Sequence, residues 1–363
     1  MKTLSNFEKI AKKNKRKNTL RNILLSTILV LGILFATYMG LNYLTSRNGE
    51  NIRDSYVLES EIAYPNISYS TWGYNATSQF TGNFYSDRFK DIDGIIVPFE
   101  PFEVSYSLRL LGGGNSSAGT MLGDDNHSKY TRGSSYKVPI FYNVNYDYNS
   151  KDSYVKVTQD IALTSEMSGQ AVEMAITFDK GYTLEEIMEM IPDNLKINWY
   201  WIGTTSKYDT STIQLSDTFG MTHNEEATMT YQQAKEWEKA AREATKKDKN
   251  PDLSKIDIGA PDSVDALTGL QNSYTIFQGY AKEALEKDYL GSTYGGADGS
   301  ELDTKKDIKA YLKNNSDPKT AKFAGVILTG RAENFKQLEN ASWIYASNIG
   351  QSVEIQPYHH LEK

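Results

Sequence analysis

Residues 23–44 form an unbroken run without a charged side chain, directly behind a lysine-rich head. Lipid offers the backbone no hydrogen-bond partners, so a segment that crosses a bilayer must be helical and about 20 apolar residues long. This run meets that length, and Ile23, Leu24, Leu25, Ile28, Leu29, Val30, Leu31, Ile33, Leu34, Phe35, Leu41 and Leu44 supply its apolar surface. The expectation is a membrane anchor that divides the chain into a short head, a span and a long remainder. Residues 1–22 carry Lys2, Lys9, Lys12, Lys13, Lys15, Arg16, Lys17 and Arg21 against Glu8 alone. The positive-inside rule then predicts a cytoplasmic N-terminus and an extracytoplasmic region after Leu44. Tyr38 and Tyr43 fall toward the outer end, where aromatic rings suit the headgroup layer. A cleaved signal peptide has a shorter apolar region closed by small residues. Ala36-Thr37-Tyr38-Met39 supplies no such site, so the run reads as an uncleaved, single-pass cell-membrane anchor.

Charge sharpens this division. The whole chain carries −7 and the head +7, so everything after the span carries −14. An outer region this acidic is unsuited to nucleic acid, whose phosphates need a basic surface. The head, by contrast, suits anionic inner-leaflet lipid. With no cysteine, the chain cannot use disulfides, thiolate catalysis or cysteine-held metals, and the outer region must rely on its own core.

Beyond the span the pattern predicts an α+β architecture with helical insertions. Residues 45–60 read as a polar linker and 61–165 as β-rich, with alternating pieces at Phe102–Leu108 and Tyr154–Thr158. Gly112-Gly113-Gly114-Asn115-Ser116-Ser117 opens an expected surface loop running to about Ser135. An α+β domain follows over 166–355, with a tail at 356–363. In it Val172, Met174, Ile176 and Phe178 alternate as a half-buried strand. Thr183 and Glu186 form a capping box, and Pro192 stops the helix that the box opens. Leu195, Ile197, Trp199 and Trp201 alternate as a second strand. The same order returns as an apolar strand at Phe323–Thr329, a short helix with Phe335 and Leu338, and a strand from Trp343. Two such units suggest helices on one face of a mixed sheet. Between them, Thr230 and Gln233 cap a helix to about Thr245, an apolar stripe from Val264 to Leu285 marks a longer one, and a last helix runs over Thr304–Lys313.

Chemistry is sparse. His127, His223, His359 and His360 lie outside metal-binding spacings, and no cofactor motif is present. Asp124-Asp125-Asn126-His127 lacks the spacing of a calcium loop, and no G-x-S-x-G elbow occurs. No residue stands out as catalytic, so the reading is of a protein that is not an enzyme. Trp199 and Trp201 fit core packing better than sugar stacking. In the head, Ser5 and Glu8 suggest a capping box, with Leu4, Phe7 and Ile10 on one face and lysines including Lys12 and Lys13 around it. These five residues are the candidate contact for a cytoplasmic partner.

The head Asn6-Phe7-Glu8-Lys9-Ile10-Ala11-Lys12-Lys13 resembles the N-terminal region of the sigma factor regulators, Gram-positive membrane-anchored anti-sigma factors. Phe178–Glu186, Asn198-Trp199-Tyr200-Trp201 and Gly325–Gly330 with Ala346–Gly350 resemble the C-terminal domain of the same family. The resemblance implies a regulator that couples an extracytoplasmic sensor domain to an extracytoplasmic-function sigma factor or to a small membrane protein partnered with it. The head of about 22 residues is short beside family members with a longer cytoplasmic portion. A structural or binding module of the cell envelope without a signalling role is the alternative reading, and a wall-active hydrolase the third.

Overall fold

The computed structural model describes residues 2–108, 119–131, 136–151, 153, 155–296 and 298–363, with side chains from residue 6 onward. Gly112–Ser117, Tyr154 and the side chain of Leu4 lie outside the described residues. The chain forms two compact units. One comprises residues 1–52, 74–84 and 104–114, the other 53–73, 85–103 and 115–363.

The first element, α1 (Lys2–Ile62), is one continuous helix. Ser5 and Glu8 therefore lie inside it and do not cap its start. Residues 45–60, expected as a linker, continue the helix. Their buried stripe of Thr45, Asn48 and Gly49, with Ile52 half-buried, keeps helical spacing but is mostly small and polar, so an apolar period could not reveal it. In the first unit this stripe meets two tyrosines. A Cβ at Gly49 would sit 3.2 Å from the Tyr106 ring and 3.4 Å from the Tyr74 ring. Asn48 Nδ2 donates to the Ser107 carbonyl at 2.8 Å.

Strands β1 (Ser68–Ser78), β2 (Thr81–Ile92) and β3 (Ile95–Ser107) form a three-stranded sheet in that order. The described part of the expected loop to Ser135 is instead a small sheet. It pairs β4 (Thr120–Leu122) with β5 (Lys129–Thr131) and β5 with β6 (Lys137–Val138). Residues 155–158 form no strand. Among the described residues of the expected pattern Val155 and Thr158 are buried, and Val155 packs with Ile140, Tyr142 and Tyr148.

The second unit is built on β7 (Gln170–Tyr182), α2 (Leu184–Met190), β8 (Lys196–Trp201) and β9 (Gly220–Thr222). Its helical insertion holds α3 (Tyr231–Lys247), α4 (Ala266–Glu286), the short pair β10 (Thr293–Gly295) and β11 (Glu301–Asp303), and α5 (Thr304–Asn314). The chain closes with β12 (Phe323–Arg331), a 3-10 turn (Ala332–Leu338) and β13 (Ile344–Glu354). The five main strands lie in the order β13-β7-β12-β8-β9, and every pairing is antiparallel. The sheet is thus not mixed. The two strand-helix-strand units interleave, so the parallel strands of each are separated by a strand of the other running the opposite way.

Both capping boxes form, at Thr183–Glu186 and Thr230–Gln233. On one face, Val172, Met174, Ile176 and Phe178 join Leu184 and Ile187 of α2, Leu270, Tyr274 and Phe277 of α4, and Ile308 and Tyr311 of α5 in the main core. β7 is buried on both faces, not half-buried. In β8 the pairing with β12 shifts register, so Trp199 faces Ile327 while Ile197 faces Leu328. Asn198 is the extra residue, and such a bulge reverses side-chain alternation. Ile197 therefore joins the main core, whereas Trp199 and Trp201 pack with Phe141, Ala175 and Ile327 on the other side. The expected single face of Ile197, Trp199 and Trp201 does not exist.

Candidate functional site

The head and span come first. Phe7 and Ile10 sit on α1 one turn apart, both exposed, with Lys12 and Lys13 following. Ile23, Leu24, Leu25, Ile28, Leu29, Val30, Leu31, Ile33, Leu34, Phe35 and Leu44 are all exposed, and Leu41 is half-buried. The helix is long and apolar enough to cross a membrane by length and composition. Its most apolar stretch buries nothing in the protein, which is consistent with a single-pass membrane protein.

The second unit holds what the sequence did not single out. The inward face of β2 is polar at Ser86, Arg88 and Lys90. Ser86 Oγ lies 3.0 Å from the Tyr56 hydroxyl. The Arg88 guanidinium lies 5.3–5.8 Å from the ring centres of Phe99, Tyr64 and Phe102, and its Nε donates to the Glu100 carbonyl at 2.7 Å. Lys90 Nζ pairs with Glu173 Oε2 of β7 at 2.5 Å, with both side chains fully buried. Burial pushes the Lys90 ammonium down while Glu173 opposes that shift. Glu173 also accepts hydrogen bonds from Asn66 Nδ2 at 2.8 Å and from the Gln351 amide at 3.0 Å.

The network continues across the sheet. Asn198 Nδ2 donates to Asn66 Oδ1 at 2.9 Å and to the Asp91 carbonyl at 2.8 Å. Thr329 Oγ1 donates to Asn198 Oδ1 at 2.8 Å and accepts from the Asp93 amide at 3.1 Å. Lys196 bridges Asp91 and Glu362 at 2.6 and 2.5 Å, and the amides of Glu362 and Lys363 donate to Asp93 Oδ1. Most buried polar groups here answer another, as burial requires, while Arg88 Nη2, Asp93 Oδ2 and Gln351 Oε1 are buried without a hydrogen-bond partner. The bulge at Asn198 is what turns its amide toward Asn66 and Asp91. One signal for this layer was present in the sequence. Trp199-Tyr200-Trp201 places large rings on both strand faces, which requires a second layer behind the sheet.

A groove of about 950 Å³ runs between the end of α1, β1, α3 and α4, lined by Arg53, Trp72, Lys239, Arg242 and Glu283 among others. Its charges are largely paired within the protein. Despite burial, hydrogen bonds from Lys287, Lys235 and Tyr231 hold the Glu283 carboxyl down at about 2. The histidine and acidic candidates serve local structure. Asp125 accepts from the amides of His127 and Ser128. His223 bridges the Tyr200 hydroxyl and Glu225. Among the described residues no group of three His, Asp or Glu side chains could hold a metal ion.

The arrangement is therefore a tightly joined core. Residues 8–96 match the family model described as sigma factor regulator N-terminal, and residues 164–351 match the one described as sigma factor regulator C-terminal. No curated protein and no solved structure matches the chain significantly. The Lys90–Glu173 pair joins one matched region to the other. The C-terminal match alone spans just over half of the chain; the protein belongs to the sigma factor regulator family, with an anti-sigma-factor-like regulatory role and a sigma factor as the implied partner.

Proposed function

We propose that the protein is a single-pass regulator with a cytoplasmic head, a membrane span and an extracytoplasmic α+β region. That region senses a state of the cell envelope and transmits it to an extracytoplasmic-function sigma factor, directly or through a small membrane protein. The observation that carries this reading is the continuity of α1 from Lys2 to Ile62. Its last turns bury Tyr56, Leu58 and Ile62, while its first turns present Phe7, Ile10, Lys12 and Lys13. An unbroken helix transmits rotation or displacement along its axis, which a flexible linker would dissipate. Coupling further requires that the head bind its partner with different affinity in the two states of the outer region.

The size of the head favours a shared contact. A stable interface covers about 800 Å² per partner, and one helix face with Phe7 and Ile10 exposed supplies a fraction of that. A membrane protein that completes the surface fits this deficit. The test is recovery of partners with the full-length protein from native membranes in mild detergent, read by mass spectrometry, beside Phe7→Asp/Ile10→Asp. A sigma factor or small membrane protein lost with the altered head supports the reading. Equal recovery of envelope proteins alone from both would favour the non-signalling envelope module.

A further inference from the structure

The tip of the β1–β2 hairpin touches the apolar helix inside the run assigned to the span. Gln79 Nε2 donates to the Tyr38 hydroxyl at 2.8 Å and to Asn42 Oδ1 at 3.0 Å. The Phe80 and Tyr38 rings meet edge to face with centroids 6.0 Å apart. The remaining tip hydroxyls answer one another, with Thr77 and Ser78 each 2.7 Å from Thr81 Oγ1. On the helix, residues 6–40 are all exposed, and protein begins to cover it at Leu41 and Asn42.

A two-strand tip cannot lie in hydrocarbon, because its lipid-exposed amides and carbonyls would each cost several kcal/mol. The level of Tyr38 therefore marks the outer hydrocarbon edge. Counting inward, Leu20 to Thr37 is 18 residues, about 27 Å of helix at 1.5 Å per residue, close to the ~30 Å core of a bilayer. The span then lies slightly nearer the head than the apolar run suggests, with Arg21 reaching back to the inner headgroups. Tyr38 to Leu44 passes through the outer headgroup layer, where Tyr38, Tyr43 and Phe80 belong. Charge agrees. Residues 74–84 carry no charged side chain, although the region after the span carries −14 and would otherwise be repelled by anionic lipid.

We propose that the β1–β2 hairpin tip, together with Tyr38, Asn42 and Tyr43, is a docking surface for the headgroups of the outer leaflet. The proposal rests on the membrane-spanning reading above. It makes lipid a direct contact of the outer sheet, so that headgroup packing acts on the Gln79 bonds to the helix.

The absence of cysteine allows single nitroxide labels to be introduced without background. Full-length protein carrying Ser78→Cys, Leu31→Cys or Ser254→Cys is reconstituted in phosphatidylcholine–phosphatidylglycerol nanodiscs. Collision of each label with oxygen and with a water-soluble nickel chelate is then compared by power saturation, with Thr77→Cys as a second tip site. The expected result is several-fold lower nickel accessibility at Ser78 and Thr77 than at Ser254, with less oxygen exposure than at Leu31. Tip labels as accessible to nickel as Ser254, with Leu31 deep, would overturn the docking surface and leave the span intact. Tip labels as deep as Leu31 would also overturn it. A Leu31 label as accessible to nickel as Ser254 would overturn both the docking surface and the span.

Discussion

Changing Lys90 to Met leaves the fully buried Glu173 side chain without its ion-pair partner. Removing one member of such a pair costs about 3–5 kcal/mol, because the remaining charge has left water and lost its counter-charge. Here Glu173 keeps the bonds from Asn66 Nδ2 and the Gln351 amide, and charge-assisted bonds of this kind contribute about 1.5–3 kcal/mol each. The expected loss for Lys90→Met is therefore at the lower end, about 3 kcal/mol. Glu173→Gln should lose a similar amount, since it strands a buried ammonium. The double variant buries no charge but keeps an acceptor for only one of Asn66 and Gln351, which bond to different oxygens of Glu173, so it should cost about 1–3 kcal/mol. The cycle then yields a coupling energy of several kcal/mol. The assay is urea unfolding of the full-length protein in detergent, followed by tryptophan fluorescence, where 3 kcal/mol moves the midpoint by about 1 M at a slope near 3 kcal/mol per M. Additivity within about 0.5 kcal/mol would refute the argument that this pair joins the two family regions.

Two further outcomes follow from the same physics. Burial, with the nearby charge of Asp217, raises the Glu59 carboxyl from 4.5 to about 7. The folded state then holds its proton more tightly than the unfolded one, so stability falls as pH rises from about 4.5 to 7 and levels off above. Glu59 is half-buried, and solvent screening limits the effect to about 1–2 kcal/mol. Glu59→Gln should flatten unfolding midpoints across that window and raise stability at pH 8; an unchanged slope would contradict the assignment. Gly269 in α4 lies against backbone, and an added Cβ would sit 1.8 Å from the Glu225 carbonyl oxygen. Gly269→Ala should cost about 1–3 kcal/mol or prevent folding, read from the same unfolding curves, and a neutral result would contradict the close approach.

Elements with strong local signals were legible in the sequence. The capping boxes at Thr183 and Thr230, the apolar strand from Phe323 and the stripe from Val264 to Leu285 each announce themselves within a few residues. What depends on distant partners was not. Glu173 sits between Val172 and Met174 and reads as solvent-facing; only the layer containing Lys90 and Asn66 makes it interior. Arg88 and Lys90 reverse the usual rule in the same way, because the face of β2 that carries them points into the protein. The bulge at Asn198 is invisible to a period-of-two count, which puts Ile197 and Trp199 on one face. Residues 155–158 have strand-like alternation but meet β13 only at their end, where the Ser347 amide donates to the Thr158 carbonyl and Gln159 forms an isolated bridge with Ser347. In the candidate partner-binding head, residue types and helical state were readable, whereas the continuity of α1 through 45–60 rests on tyrosines more than 20 residues away.

In the proposed function the head of α1 restrains a sigma factor, directly or through a small membrane protein. The most direct test is the transcript profile of cells lacking the protein, complemented either with the full-length chain or with Phe7→Asp/Ile10→Asp expressed at equal level in the membrane. The account predicts that deletion releases one discrete set of promoters, that the unaltered chain silences it, and that the altered head leaves it active. Silencing by both chains, or no promoter set released by the deletion, would contradict it.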